Sequence, residues 1–273
     1  MKITENFFES SRHKTFYLAA GPESGVPLFF IHGWPDLSIG WTKQIKFFAS
    51  QGYRVIVPDM RGYGASTIHE KQEAYAQKEI VTDMLELHAS LNCEEAIWIG
   101  HDWGSLVVWN LGLHHKEVVK GLGSLCVPFG WGGHPDSYLS YIDRDLYPED
   151  DYPYGQWDYM YFYYESFDLA ISQMEADPHK FIRLNFTKPS DDFKGCFNAG
   201  IGARSITASI RKNGGWFKQD GFNGLDSIPD VQAETDLVSE EEVKVYGDYL
   251  CKNGFFGPNS WYAVSYTHLT LPT

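Results

Sequence analysis

The sequence predicts an α/β fold: a mostly parallel sheet with helices on both faces, followed by an inserted helical segment. Three observations carry this. Short apolar runs alternate with helical patterns through the first 128 residues, as consecutive strand–helix units do. At Pro128 the alternation stops, broken by Gly130, Gly132, Gly133 and Pro135. The 273 residues, 43% of them hydrophobic, suit one large domain carrying an insertion.

In chain order, residues 16–20, 28–31, 54–57 and 96–99 read as strands, and 40–50, 74–91 and 104–116 as helices. Residues 118–127 supply a helix end and another strand. The words Pro58-Asp59-Met60-Arg61-Gly62-Tyr63-Gly64 form the loop after the 54–57 strand, with a structural role. Nine tyrosines crowd into 138–164, a polar helical stretch covers 170–185, and Ser239-Glu240-Glu241-Glu242 is a capping box ahead of a further helix. The expected organisation is a core over 1–129, a helical cap over 130–248, and a return toward the core over 249–273.

Residues 97–105 hold the chemistry. An apolar run ends in Gly100-His101-Asp102-Trp103-Gly104, and a helical pattern follows. That is the layout of a nucleophile elbow, a tight strand-to-helix turn that holds its central residue out over the sheet. The flanking glycines suit a turn packed too closely for side chains. An Asp N-cap on an ordinary helix would look the same locally. Asp at the centre changes the reaction. A serine hydroxyl needs a base before it attacks, whereas a free Asp, with a pKa of about 3.9, is already ionised. A carboxylate suits attack on saturated carbon bearing a strained or good leaving group, giving an alkyl ester that water must cleave. Upstream, a strand runs into His32-Gly33-Trp34-Pro35, where elbow hydrolases place a second backbone donor. The oxyanion-hole N–H groups are then those of Trp34 and Trp103.

On His32-Gly33-Trp34-Pro35, the 58–64 words and Gly100-His101-Asp102-Trp103-Gly104 together, the chain resembles the epoxide hydrolase branch of the α/β-hydrolase superfamily, over nearly its whole length up to about residue 262. The resemblance implies an α/β-hydrolase core with a cap. It also implies attack by Asp102 on a small lipophilic epoxide, and hydrolysis of the ester by water to a vicinal diol. Two cap tyrosines would donate to the leaving oxygen, a role that suits a neutral phenol. Residues 158–165 align with the family phrase that carries the first, placing it on Tyr159 with Tyr161 as rival and substrate contact. Glu240-Glu241-Glu242-Val243-Lys244-Val245-Tyr246 places the second on Tyr246. Trp34 and Trp103 would also line the substrate. The rival enzyme is a haloalkane dehalogenase, which shares the Asp-Trp elbow; a non-catalytic member of the fold is the other alternative.

Residues 254–262 resemble the segment where the cap returns to the core. A complete enzyme would continue for further strands with a late acid and a histidine, so the chain is expected to be truncated and catalytically incomplete. The tail from about 264 reads as foreign to the fold, like a translated sequencing adapter, and His268 is not the base. The net charge of −14 argues against nucleic acid or an anionic membrane as partner. No apolar run approaches a membrane span, and no signal core opens the chain. Cys93, Cys126, Cys196 and Cys251 show no paired spacing, as expected for reduced thiols in a cytoplasmic protein. His101 reads as structural. No metal site and no cofactor are expected.

Overall fold

The computed structural model describes residues 2–130, 135–186, 204–218, 222–232 and 237–264. The chain divides into two compact units, Met1–Gly132 with Phe256–Thr273, and Gly133–Phe255.

The first unit is built on six strands: β1 (Thr4–Glu9), β2 (Lys14–Ala20), β3 (Pro27–Ile31), β4 (Arg54–Pro58), β5 (Ala96–His101) and β6 (Val119–Leu125). Their order across the sheet is β1-β2-β4-β3-β5-β6. The pairings β3–β4, β3–β5 and β5–β6 are parallel; β1–β2 and β2–β4 are antiparallel. The sheet is therefore parallel through its centre, where β3 and β4 are buried almost end to end, as strands covered on both faces must be. β1 has no counterpart among the expected strands. Its residues alternate between exposed and half-buried, so its apolar signal is too thin to stand out.

Helices α1 (Thr42–Ser50) and α2 (Gln77–Ser90) fall within the expected ranges, and α3 (Trp103–His114) begins one residue before its own. Ile45, Leu87 and Val108 are fully buried on them. The loop after β4 is tied down by side chains. Asp59 accepts from the Ser38 and Ala65 amides at 2.9 Å each. Arg61 forks onto Asp83 of α2 at 2.6 and 2.7 Å, the two-point geometry that makes a guanidinium–carboxylate pair strong.

The second unit contains α4 (Asp158–Glu165), α5 (Phe167–Glu175), α6 (Pro178–Asn185), the single turn α7 (Ile210–Asn213) and α8 (Glu240–Asn253). The single helical stretch expected over 170–185 is two helices. The first ends at Glu175; Asp177 caps the second by accepting from the Lys180 amide at 2.9 Å, and Pro178 sits in the first turn where its missing N–H costs nothing. The capping box of α8 is formed: Glu242 donates its amide to Ser239 Oγ at 3.2 Å, and Ser239 donates its own to Glu242 Oε2 at 2.7 Å. The last helix, α9 (Phe256–Val264), belongs to the first unit and is buried from Gly257 to Val264. No helix among the described residues is long and apolar enough to cross a membrane.

Candidate active site

Asp102 stands between the end of β5 and the start of α3. Its φ of 53° and ψ of −125° lie in the left-handed half of backbone space, a conformation worth about 1–3 kcal/mol of strain in a non-glycine residue. Neighbouring bonds hold it there. The Asp102 amide donates to Leu125 O at 3.3 Å and Ser105 N to Asp102 O at 2.9 Å. Ser105 Oγ reaches the carbonyls of Gly100 and Leu125, each at 3.1 Å. The turn also needs its glycine: a Cβ on Gly104 would lie 2.2 Å from Ile31 O. The N-cap alternative fails on the side chain, which makes no capping bond to α3.

The carboxylate instead meets backbone donors. Trp34 N donates to Asp102 Oδ1 at 2.8 Å, and the Trp103 amide also favours its charged form. Asp102, Trp34 and Trp103 are thus brought together. Burial pushes the Asp102 carboxyl above the ordinary carboxylate range; the Trp34 and Trp103 amides and the adjacent His101 work against that rise. A Cβ on Gly33 would lie 2.5 Å from Asp102 Oδ1, so glycine there leaves the carboxylate its place.

His32 fixes the Trp34 loop from below. Its Nε2 accepts from Met60 N at 2.9 Å, and its Nδ1 lies 2.9 Å from Gly33 O. Those two bonds assign the proton to Nδ1. Burial lowers its pKa to about 4, so the ring is neutral and its Nε2 lone pair is engaged. His101, half-buried, is hydrogen-bonded to Cys126, which raises its pKa together with the charges of Asp102 and Asp36 against the effect of burial.

α9 supplies residues that sequence reasoning did not single out. Trp34 Nε1 donates to Asn259 Oδ1 at 3.0 Å. The Tyr262 ring stands edge-on to Trp103 at 4.9 Å and to Trp34 at 6.1 Å. Trp261 lies 6.4 Å from Trp103 and donates Nε1 to Arg61 O at 3.0 Å. The available signal was the apolar run Trp261-Tyr262-Ala263-Val264, which marks burial, whereas nothing local marks Asn259.

The three expected tyrosines lie in the second unit, Tyr159 and Tyr161 on α4 and Tyr246 on α8. Tyr159 is half-buried, its ring packed edge-on to Tyr163 at 5.9 Å and Trp216 at 5.8 Å. Tyr161 is buried and donates its hydroxyl to Asp136; burial, then that bond, raises its pKa well above the phenol range. Tyr246 is 2% exposed and packs on Phe186 at 5.5 Å. Among the described residues no cluster of three or more His, Cys, Asp or Glu side chains is placed to hold a metal ion.

The alpha/beta hydrolase fold model matches residues 26–163. Epoxide hydrolase A of Mycobacterium tuberculosis is 28% identical over 262 residues, covering 95% of this chain and 73% of its own length. Epoxide hydrolase srdG of Neurospora crassa is 28% identical over 258 residues, covering 90% and 67%. The crystal structure of epoxide hydrolase A from Mycobacterium thermoresistibile superposes with a TM-score of 0.72 at 27% identity, covering 97% of this chain and 75% of that one. The chain belongs to the alpha/beta hydrolase fold family, and these three relatives, matched over 90–97% of it, are epoxide hydrolases.

Proposed function

We propose that the chain opens epoxides by nucleophilic attack of the Asp102 carboxylate. One Asp102 oxygen bonds to a ring carbon while the ring C–O bond breaks, and the released alkoxide takes a proton from a donor. The product is an alkyl ester of Asp102, which water splits to a vicinal diol and the restored carboxylate. The observation that carries this reading is a carboxylate, in place of a hydroxyl, at the strained centre of the elbow, with the Trp34 amide on Oδ1 at 2.8 Å. Family relatives named as epoxide hydrolases support the same reading.

The backbone donors serve the second half of the reaction. Once Asp102 is esterified, the Trp34 and Trp103 amides face its carbonyl oxygen, and they strengthen as that oxygen gains charge. Tyr159 and Tyr246 are the proposed donors to the leaving alkoxide. Tyr161, whose hydroxyl is already donated to Asp136, is proposed to contact substrate through its ring. The substrate is a small lipophilic epoxide, in keeping with the aromatic walls of Trp34, Trp103 and Tyr262.

The test is a rapid-quench incubation with styrene oxide followed by intact-mass and peptide analysis. One adduct of the epoxide's mass on the peptide containing Asp102 is expected. Absence of both adduct and diol would sink the reading. Turnover of 1-chlorobutane without styrene oxide would replace it with the haloalkane reaction.

A further inference from the structure

The loop after β4 has one member without an assigned task. Asp59 and Arg61 are fully engaged in holding the loop. Tyr63 is not. It is 2% exposed, and its hydroxyl is buried with no hydrogen-bond partner. Such an orphan typically costs about 1–3 kcal/mol, and phenylalanine would fill the same space without it. A buried polar group kept at that cost points to a ligand.

Its surroundings say which. The Tyr63 ring stands edge-on to His32 at 4.9 Å and Trp261 at 5.9 Å. These residues support Trp34 and Trp103 around the nucleophile. Burial above all, then the nearby Asp102, Tyr75 and Asp36, push the Tyr63 phenol well above its ordinary range and hold it protonated. It is therefore a buried donor enclosed by the His32 and Trp261 rings, next to the residues that support the Asp102 site. Water is small enough for such a place and can bond to a donor and to acceptors at once.

We propose that the Tyr63 hydroxyl anchors a water molecule on the core side of Asp102 and acts as a positioning residue for the water that cleaves the ester. This rests on Asp102 forming that ester. In the step, the water oxygen bonds to the Asp102 carboxyl carbon and the acyl–oxygen bond to the diol breaks. One water proton ends on the diol oxygen, the other on the carboxyl group or in solvent. Tyr63 keeps its own proton throughout.

The experiment compares wild type with Tyr63→Phe, following the styrene oxide adduct on Asp102 by mass spectrometry after excess epoxide is removed. The variant is expected to form the adduct at the wild-type rate and to hold it about tenfold longer or more, the scale on which misplacing a reactant acts. Its thermal midpoint should be unchanged or higher. Equal adduct lifetimes overturn the proposal, as does slower adduct formation with an unchanged lifetime. Should the variant not fold, a high-resolution crystal structure of the wild-type chain decides. A water within about 3.2 Å of Tyr63 Oη is required, and its absence overturns the proposal. No adduct in wild type would overturn the nucleophilic role of Asp102, while the crystal structure still decides whether Tyr63 anchors water.

Discussion

At residue 102 the fold sets a carboxylate against its own ionisation. Burial raises the Asp102 pKa, so the folded state favours the protonated acid. The stability this brings is present at low pH and is lost as pH rises through the raised value. Two outcomes follow for one residue. Alkylation needs the carboxylate, so its rate should fall on acidification at a pH above the ordinary carboxylate value of about 4. Asp102→Asn keeps an acceptor for the Trp34 amide and removes the charge. It should abolish alkylation while raising the urea midpoint at neutral pH. A variant that alkylates, or that is less stable than wild type, contradicts the assignment. For the cap phenols, Tyr159→Phe and Tyr246→Phe should each slow ring opening by roughly 10–10³-fold, the range for losing one donor to a developing oxyanion. The double variant should be near dead in stopped-flow or quench measurements. Damage from Tyr161→Phe with a silent Tyr159→Phe would move the role two residues along α4.

Among the elements, the β5–α3 turn is the least forgiving. Gly104→Ala would drive a methyl to 2.2 Å from Ile31 O, pushing α3 off β3. We expect a loss of about 1–3 kcal/mol or more in urea unfolding, together with loss of alkylation; a variant of wild-type stability would mean that the turn relaxes freely. This turn was readable in the sequence because all its parts sit within five residues, Gly100 to Gly104. Asp102 and Trp103 belong to that turn, and Trp34 stood out through its own four-residue word, His32 to Pro35, although its bond to Asp102 spans 68 positions. Asn259 was not, since its bond to Trp34 spans 225 positions in sequence and no local pattern marks it. Tyr63 was read as part of a structural loop, because an unpartnered hydroxyl is visible only once its neighbours are placed. The break between α5 and α6 could have been seen in Asp177-Pro178, where helical composition on both sides masked a cap and a proline.

For the whole molecule, the two halves of the reaction make different demands. In the proposed reaction, ring opening needs Asp102 and donors; ester hydrolysis also needs a general base. Among the described residues, the histidine–carboxylate pairs are His13–Asp83, His115–Glu117 and His179–Asp248, at 3.9, 3.5 and 3.0 Å. None of them includes His32 or His101, the histidines that flank Asp102. In steady state the slower half sets the rate of diol release, and quench sampling of the Asp102 adduct against diol separates the two.

The two amides that face Asp102 carry a pharmacological consequence. In a serine hydrolase the oxyanion hole stands open beside a hydroxyl, and sulfonyl fluorides or boronic acids enter both. Here the donor of Trp34 is already taken by an oxygen of Asp102, and a carboxylate offers no hydroxyl to sulfonylate or to bind boron. Phenylmethanesulfonyl fluoride and phenylboronic acid should leave alkylation by styrene oxide unchanged. The protein should likewise escape fluorophosphonate probes that tag serine enzymes of the same fold, and be trapped only by electrophiles whose reactive centre is a strained saturated carbon.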